Sequence, residues 1–368
     1  MCKEKRVILV GGHGSVGRHI LKEIAGKLDH VRIDVAGRGV HKAKGIPDGV
    51  GRVRLDFHDS AAAVETLAGY DFAILTMGPF EEFKSKPHKL CIEAGIDCLD
   101  VNDSLSAAYD IFSLDSLAKE RGVNVLTGMG LNPGLSTFMM HSLFKNMPRG
   151  RKCIKNWLFG GAKENNGAAS VMTMLSYLGP EVNEIWKGAH RMVQANDDEK
   201  GAWCRLPLFT RASKFVHCPS VEAWTLERSK EIDIGEIEWC DYRVHFQGLP
   251  MWIVRAYRRY PVLRSYRNIQ RLGKAMAFLH EKNKRFMRGL PYSVYGIECS
   301  CEGRCYMAYV TGYTVGRLTA LLPAVFIEFY VNNKLSLSAG IHSLDGDFFD
   351  RTLLEDSVNS KIDIVYKW

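Results

Sequence analysis

Arg6-Val7-Ile8-Leu9-Val10 runs directly into Gly11-Gly12-His13-Gly14-Ser15-Val16-Gly17. The first five residues form a short β-branched apolar run that ends in glycines, the mark of a strand. From Ser15 to about Leu28, residues Val16, Ile20, Ile24 and Leu28 recur at four-residue steps and share one helical face. A lone G-x-G-x-x-G is weak evidence. Between a strand and a helix of a βαβ unit, it marks the corner where a dinucleotide pyrophosphate binds. Gly12 is expected to make the tight turn, Gly14 to let the main chain approach the pyrophosphate, and Gly17 to let helix and strand pack closely. The N–H groups opening the helix, around Ser15 and Val16, then face the phosphates. His13 belongs to this cofactor-binding stretch but reads as a bystander rather than a catalytic group.

The end of the next strand, Val31–Ala36, selects the cofactor. An acid there suits the ribose 2′-hydroxyl of NAD, and an Arg suits the 2′-phosphate of NADP. The sequence reads Val35-Ala36-Gly37-Arg38, with His41, Lys42 and Lys44 close behind. Asp34 lies two residues before Ala36, within the strand rather than at its tip. A carboxylate at the tip repels a phosphate, whereas an Arg fork binds one in bidentate fashion. Gly37 and Arg38 therefore point to NADP. The competing reading makes Arg38 a solvent-exposed loop charge.

The same alternation continues through the first 130 residues. Strand patterns at 51–55, 72–76, 97–101 and 124–127 are separated by helical patterns at 61–67, 87–94 and 110–121. Strands alternating with short helices imply parallel βαβ units. The expected fold class is α/β: an N-terminal Rossmann, doubly wound parallel sheet, followed by a second α+β domain for substrate and dimerisation. The expected domains are 1–130, which binds NADP, and 131–368, which binds substrate. The C-terminal tail of the second is expected to pack back on the first. After Gly134 the strand-like pieces lengthen and mix, as in 152–159, 243–246 and 305–312, and a helix is expected over 168–178.

With 368 residues and 46% hydrophobic content, the chain can bury two cores. Its net charge of +8 is uneven. Residues 251–290 hold eleven Lys/Arg and the single acid Glu281, so the remainder sums to −2. Outside that segment nothing argues for nucleic acid or a membrane. The first residues show no signal-peptide pattern, and ten cysteines then suggest free thiols in a reducing compartment. A cytoplasmic protein is expected. The longest apolar stretch, Leu318 to Val331, contains Pro323 and Glu328. It falls short of the about 20 residues a spanning helix needs and reads as a buried core helix.

Several stretches resemble the saccharopine dehydrogenase family in their order along the chain. They are GGHGSVG, the AGR strand end, Leu75-Thr76-Met77-Gly78-Pro79-Phe80, the segment Cys91 to Asp100, and Gly128-Met129-Gly130-Leu131-Asn132-Pro133-Gly134. The resemblance covers about residues 6–138 and returns near 310–314 and 340–349. That family includes NADPH-dependent saccharopine reductase, carboxynorspermidine dehydrogenase and a trans-acting enoyl reductase branch. It implies hydride transfer from NADPH to a C=N bond, with an acid or bound water near the nicotinamide. Thr76, Met77, Gly78, Pro79 and Phe80 follow a strand, so they lie at the carboxyl edge where ligands bind in open α/β sheets. Phe80 packs either against a ring or in the core. Leu131 and Asn132 occupy another strand-end turn. The family often has Asp before this Pro-Gly. Asn132 can hydrogen-bond a carboxamide but cannot act as a base. The catalytic candidates by position are Asp100, Asp103 and Asn132, with Asn102 and Tyr109 nearby. Asp103-Ser104 reads equally well as a helix N-cap.

Three features of the second half remain. The loop from Gly160 to Gly167, with Lys163, either holds a substrate carboxylate at a helix start or is a plain loop and cap. Cys299, Cys301 and Cys305 flank Glu302-Gly303, which reads as a hairpin tip, so no metal site is expected. After Pro261, Leu263, Tyr266, Ile269, Leu272, Met276 and Leu279 define an apolar helical face opposite Arg264, Arg267, Arg271 and Lys274. This is a helix packed with a solvated basic face, a lid, a dimer contact, or a peripheral membrane contact through 250–290. The expected partners are a small-molecule substrate and a second copy of the chain, and no nucleic acid. Two other functions stay open: an enoyl reductase acting on an acyl or lipid-like substrate, and a catalytically silent NADP-binding sensor or scaffold. An acyl reductase should show a long apolar channel near 250–280.

Overall fold

A computed structural model describes residues 4–28, 30–164, 167–197, 203–204, 206–207 and 209–368. The chain divides into two units: Met1–Leu135 with Gly316–Lys361, and Ser136–Val315 with Ile362–Trp368.

The first segment alternates as its sequence pattern requires. β1 (Lys5–Val10), α1 (Ser15–Ile24), β2 (Val31–Ala36), β3 (Gly51–Val53), α2 (Ser60–Leu67) and β4 (Phe72–Leu75) follow in order. Then come α3 (Phe80–Phe83), α4 (Lys86–Glu93), β5 (Asp97–Asp100), α5 (Leu105–Phe112), α6 (Asp115–Arg121) and β6 (Asn124–Leu126). The helix expected over 110–121 is two helices, broken at Ser113-Leu114. Val7, Ile8 and Leu9 are fully buried, as expected of a strand covered on both faces.

The second unit opens within α7 (Leu135–Lys145), whose first residue belongs to the first unit. It continues through β7 (Lys152–Gly160), α8 (Ala168–Tyr177), β8 (Glu181–Trp186), β9 (Ala189–Gln194), β10 (Trp203–Cys204), β11 (Ser213–Lys214) and β12 (Val216–Cys218). After these come α9 (Val221–Thr225), β13 (Ile237–Phe246), α10 (Met251–Arg259), α11 (Tyr266–Asn283), β14 (Ser293–Cys301) and β15 (Arg304–Tyr313). β14 and β15 pair antiparallel around Glu302-Gly303, the expected hairpin tip. Cys299 and Cys301 are buried on one face there, and Cys305 is exposed. The second unit's mixed sheet has the order β17-β15-β14-β7-β13-β8-β9, where β17 is Val365–Lys367 and β12 pairs with β13.

The chain returns to the first unit through α12 (Val315–Val331), β16 (Gly340–His342) and α13 (Arg351–Asn359). Ten side chains of α12 from Leu318 to Phe329 are buried, Pro323 among them, so Leu318–Val331 is the core helix its composition indicates. β16 adds to the sheet beside β6, giving the parallel order β16-β6-β5-β4-β1-β2-β3. This is the doubly wound arrangement, and its strand order reverses between β1 and β4. Among the described residues no helix is long and apolar enough to cross a membrane.

Candidate functional site

The residues assigned to the nucleotide corner all lie in the first unit. Gly11, rather than Gly12, takes the left-handed conformation (φ 81°), and its N–H donates to the Ala36 carbonyl at 2.9 Å. A Cβ on Gly11 would stand 2.9 Å from the Met77 nitrogen. Gly12 is instead pressed between Leu9 and Val35, whose side-chain atoms would lie 2.9 Å from an added Cβ. The turn therefore depends on Gly11, and Gly12 serves packing. Gly17 does what its motif position predicts: a Cβ would sit 2.5 Å from both the Gly11 oxygen and the Gly12 Cα. Gly14 is exposed, and a Cβ there meets only the Gly11 oxygen, at 3.0 Å. Helix α1 starts behind Gly14 with no side-chain cap. Its first-turn N–H groups, on Ser15, Val16 and Gly17, have no carbonyl one turn back to bind, so they are available to an anion.

At the tip of β2, the one nearby acid is committed elsewhere. Asp34 is buried and accepts a 2.7 Å hydrogen bond from the Tyr70 hydroxyl. Its Oδ1 would lie 1.9 Å from a Cβ on Gly51, so the carboxylate points across β3 and away from the tip. Burial, reinforced by this hydrogen bond, pushes the Tyr70 hydroxyl up to about 12. Arg38 is exposed, as are His41 and Lys42 behind it. His13 is more than a bystander in position. Its Cε1 would stand 2.8 Å from a Cβ on Gly37, which places the ring over the strand tip. Burial lowers its pKa, and Arg18 lowers it further. Sequence reasoning missed Arg52. From β3 its guanidinium donates to the Ala43 carbonyl at 2.9 Å and lies 3.4 Å from that of Val40. It thereby fastens the loop that carries the basic residues. No motif announces this, because the acceptors are main-chain atoms about ten positions away.

The carboxyl edge of the sheet modifies the remaining expectations. Thr76 donates from its N–H and its Oγ1 to the Val10 carbonyl, at 2.9 and 2.8 Å, and so ties β4 to β1. Thr76, Met77 and Gly78 are half-buried, and Pro79 is buried. Phe80 is 4% exposed inside the main hydrophobic cluster, so its ring packs in the core. Asp100 is also reassigned. It is fully buried, its Oδ2 lies 2.7 Å from the Nε2 of buried His88, and its Oδ1 accepts from the N–H groups of Asn102 (2.6 Å) and Gly128 (2.8 Å). Both oxygens fasten the strand ends together, and neither is accessible to a substrate. The N-cap of α5 is Ser104, whose Oγ accepts from the Ala107 N–H. Asp103 stands half-buried just before it, and Tyr109 is exposed on α5. Leu131 and Asn132 are buried in a tight turn, where a Cβ on Gly134 would come within 2.4 Å of the Gly130 oxygen. In the second unit, the loop after β7 is tethered by Lys163 N–H to the Leu290 carbonyl at 2.9 Å. Its Asn165 and Asn166 lie outside the described residues.

Comparison with known proteins fits this geometry. Residues 7–126 match the family described as the saccharopine dehydrogenase NADP binding domain. Among solved structures, the apo, histidine-tagged, L-Glu-forming saccharopine dehydrogenase of Saccharomyces cerevisiae superposes with a TM-score of 0.64. It is 15% identical, and the match covers 99% of this chain and 100% of that one. An amine dehydrogenase of Mycobacterium smegmatis superposes with a TM-score of 0.48 at 11% identity, covering 94% and 96%. No curated protein sequence matches.

Proposed function

We propose that this chain is a saccharopine dehydrogenase-like, NADP-dependent oxidoreductase that reduces a C=N bond formed between an amine or amino acid and a carbonyl compound, a reading supported by the match of residues 7–126 to the saccharopine dehydrogenase NADP binding domain. The observation that carries the cofactor half of this reading is the pairing of Asp34 with Tyr70, which leaves the β2 tip to Arg38. Arg38, on the loop held by Arg52, takes the 2′-phosphate. The exposed main chain at Gly14 and the N–H groups of Ser15, Val16 and Gly17 take the pyrophosphate. When bound, NADPH supplies the hydride. The Thr76–Gly78 edge and the Asn132 amide are assigned to orienting the nicotinamide, with Asp103 the acidic side chain nearest in sequence to the β5 edge that is not fully buried. The C=N specificity is supported by the whole-length correspondence with an L-Glu-forming saccharopine dehydrogenase.

A second reading, reduction of a C=C bond in an acyl substrate, is favoured by one feature of the second unit. A small hollow at the foot of α10, about 80 Å³, is lined by the apolar Val216, Phe246, Leu249, Met251 and Val254 together with Lys214 and His245. The test is NADPH oxidation, followed by absorbance, with panels of amino acid plus 2-oxo acid and with enoyl thioesters. Turnover that needs both amine and carbonyl supports imine reduction. Turnover on enoyl thioesters alone supports the second reading. Tight NADPH binding with no turnover on either panel indicates a silent NADP-binding protein.

A further inference from the structure

The basic segment of the sequence forms α10, α11 and their flanking turns. It concentrates apolar exposure as well as charge. Among the described residues, seven of the thirteen exposed large apolar side chains fall within 251–290. Phe286 is 86% exposed, Val262 66%, Phe278 58% and Leu279 56%. Helix α11 contacts α8 along one narrow seam. Its one buried residue is Gly273, where a Cβ would stand 2.5 Å from Met172 Cγ. At about 100° per residue, Arg271, Phe278 and Lys282 lie opposite that seam, with Arg267 beside them. Leu279, expected on the packed face, is instead exposed at its margin. Lys282 Nζ lies 4.5 Å from the Phe278 ring centre, so charge and apolar surface are interleaved on the outward face.

Three kinds of partner take cations, and this composition separates them. A second copy docked through the same face would set Arg267, Arg271, Lys274 and Lys282 against the same cations of its partner. A nucleic acid would neutralise the cations, but it offers nothing for aliphatic Val262 and Leu279, which are not stacking groups. A bilayer with anionic headgroups uses both properties. We propose that residues 251–290 dock this protein on an anionic lipid surface. Helix α11 lies in the plane of the interface, Phe278 and Leu279 reach the acyl boundary, and Arg267, Arg271, Lys274 and Lys282 engage headgroup phosphates and carboxylates. The proposal does not rest on the substrate assigned above.

The test is co-sedimentation of the full chain with phosphatidylcholine vesicles, with and without phosphatidylserine, at low and high salt. Binding is expected on the anionic vesicles, with a loss of more than about tenfold on neutral ones, and weakening as salt rises. At about fivefold per cation removed, R267E/R271E should weaken binding at least about 25-fold. Phe278→Ser should weaken it about tenfold. NADPH affinity, measured in parallel on both variants, should be unchanged, which reports an intact fold and keeps docking separate from the reductase assignment. The proposal is overturned by equal binding to neutral vesicles, by no binding at low salt, or by binding that ignores Phe278→Ser. It is also overturned if these substitutions dissolve a dimer in sedimentation velocity, or if duplex DNA displaces the vesicles.

Discussion

Arg38→Ala separates the two pyridine cofactors. In the structure the guanidinium is exposed, and its loop is fixed by Arg52. Asp34, the acid that would otherwise take a ribose hydroxyl, is turned to Tyr70. Only NADPH presents a 2′-phosphate, so only NADPH should sense the loss. A hydrogen bond to a charged group contributes about 1.5–3 kcal/mol. At 1.4 kcal/mol per tenfold, that is roughly 10- to 150-fold in Kd. Solvent screening at an exposed tip favours the lower end, about 10- to 30-fold, and the effect should shrink as salt rises. Calorimetric titration of wild type and variant with NADPH and with NADH measures it directly. NADH affinity should stay within about twofold, the range of an uncoupled surface substitution. Equal losses for both cofactors would refute the role of Arg38. So would a gain in NADPH affinity on Asp34→Asn, because it would show that the carboxylate does reach the tip.

Gly17→Ala forces a methyl to within 2.5 Å of main chain at Gly11 and Gly12, so α1 must move. A loss of about 1–3 kcal/mol in urea unfolding is expected, together with weakened NADPH binding, and a variant normal in both would show that the corner tolerates a shift. Asp100→Asn should cost about 2 kcal/mol, because an amide NH2 facing His88 Nε2 requires the tautomer that leaves an Nδ1–H buried without an acceptor, while the amide oxygen keeps the two N–H donors. Turnover per folded molecule should survive, and abolished turnover with unchanged stability would restore a chemical role to Asp100. His217 is 2% exposed, its ring nitrogens have no hydrogen-bond partner, and burial, with Arg243 and Arg258 nearby, lowers its pKa from 6.5 to about 3. The folded state therefore holds fewer protons than the unfolded one between these values, and stability drains as pH falls through that window. Asp241, raised by burial to about 7, works in the opposite sense as pH falls, so the comparison must be between proteins. His217→Gln should gain on wild type by up to about 1.4 kcal/mol per pH unit below 6.5 in urea midpoints taken at several pH values. Parallel pH profiles would show that the ring already titrates normally.

Features that the sequence makes legible are those whose constraint is local. Gly17 must be glycine because its neighbours are five and six residues away, at the same corner. Glu302-Gly303 turns because the strands on either side are apolar and in register. The carboxylates were harder to read, because what a carboxylate does is set by the groups pointing at it. Asp100 meets His88 from twelve residues before it and Gly128 from 28 after, and no spacing rule links the three. Leu279 shows a related gap: helical period groups residues on a face but does not say how much of that face another element covers. The same logic applies to cofactor choice, which is written in a pair of residues rather than one. Arg38 selects a phosphate only because Asp34, four residues earlier, is held by Tyr70. Tyr70→Phe should therefore narrow the preference for NADPH over NADH, because the Asp34 carboxylate loses the hydrogen bond that ties it away from the β2 tip. Lost stability should accompany this, about 1–3 kcal/mol for a buried oxygen left without its donor.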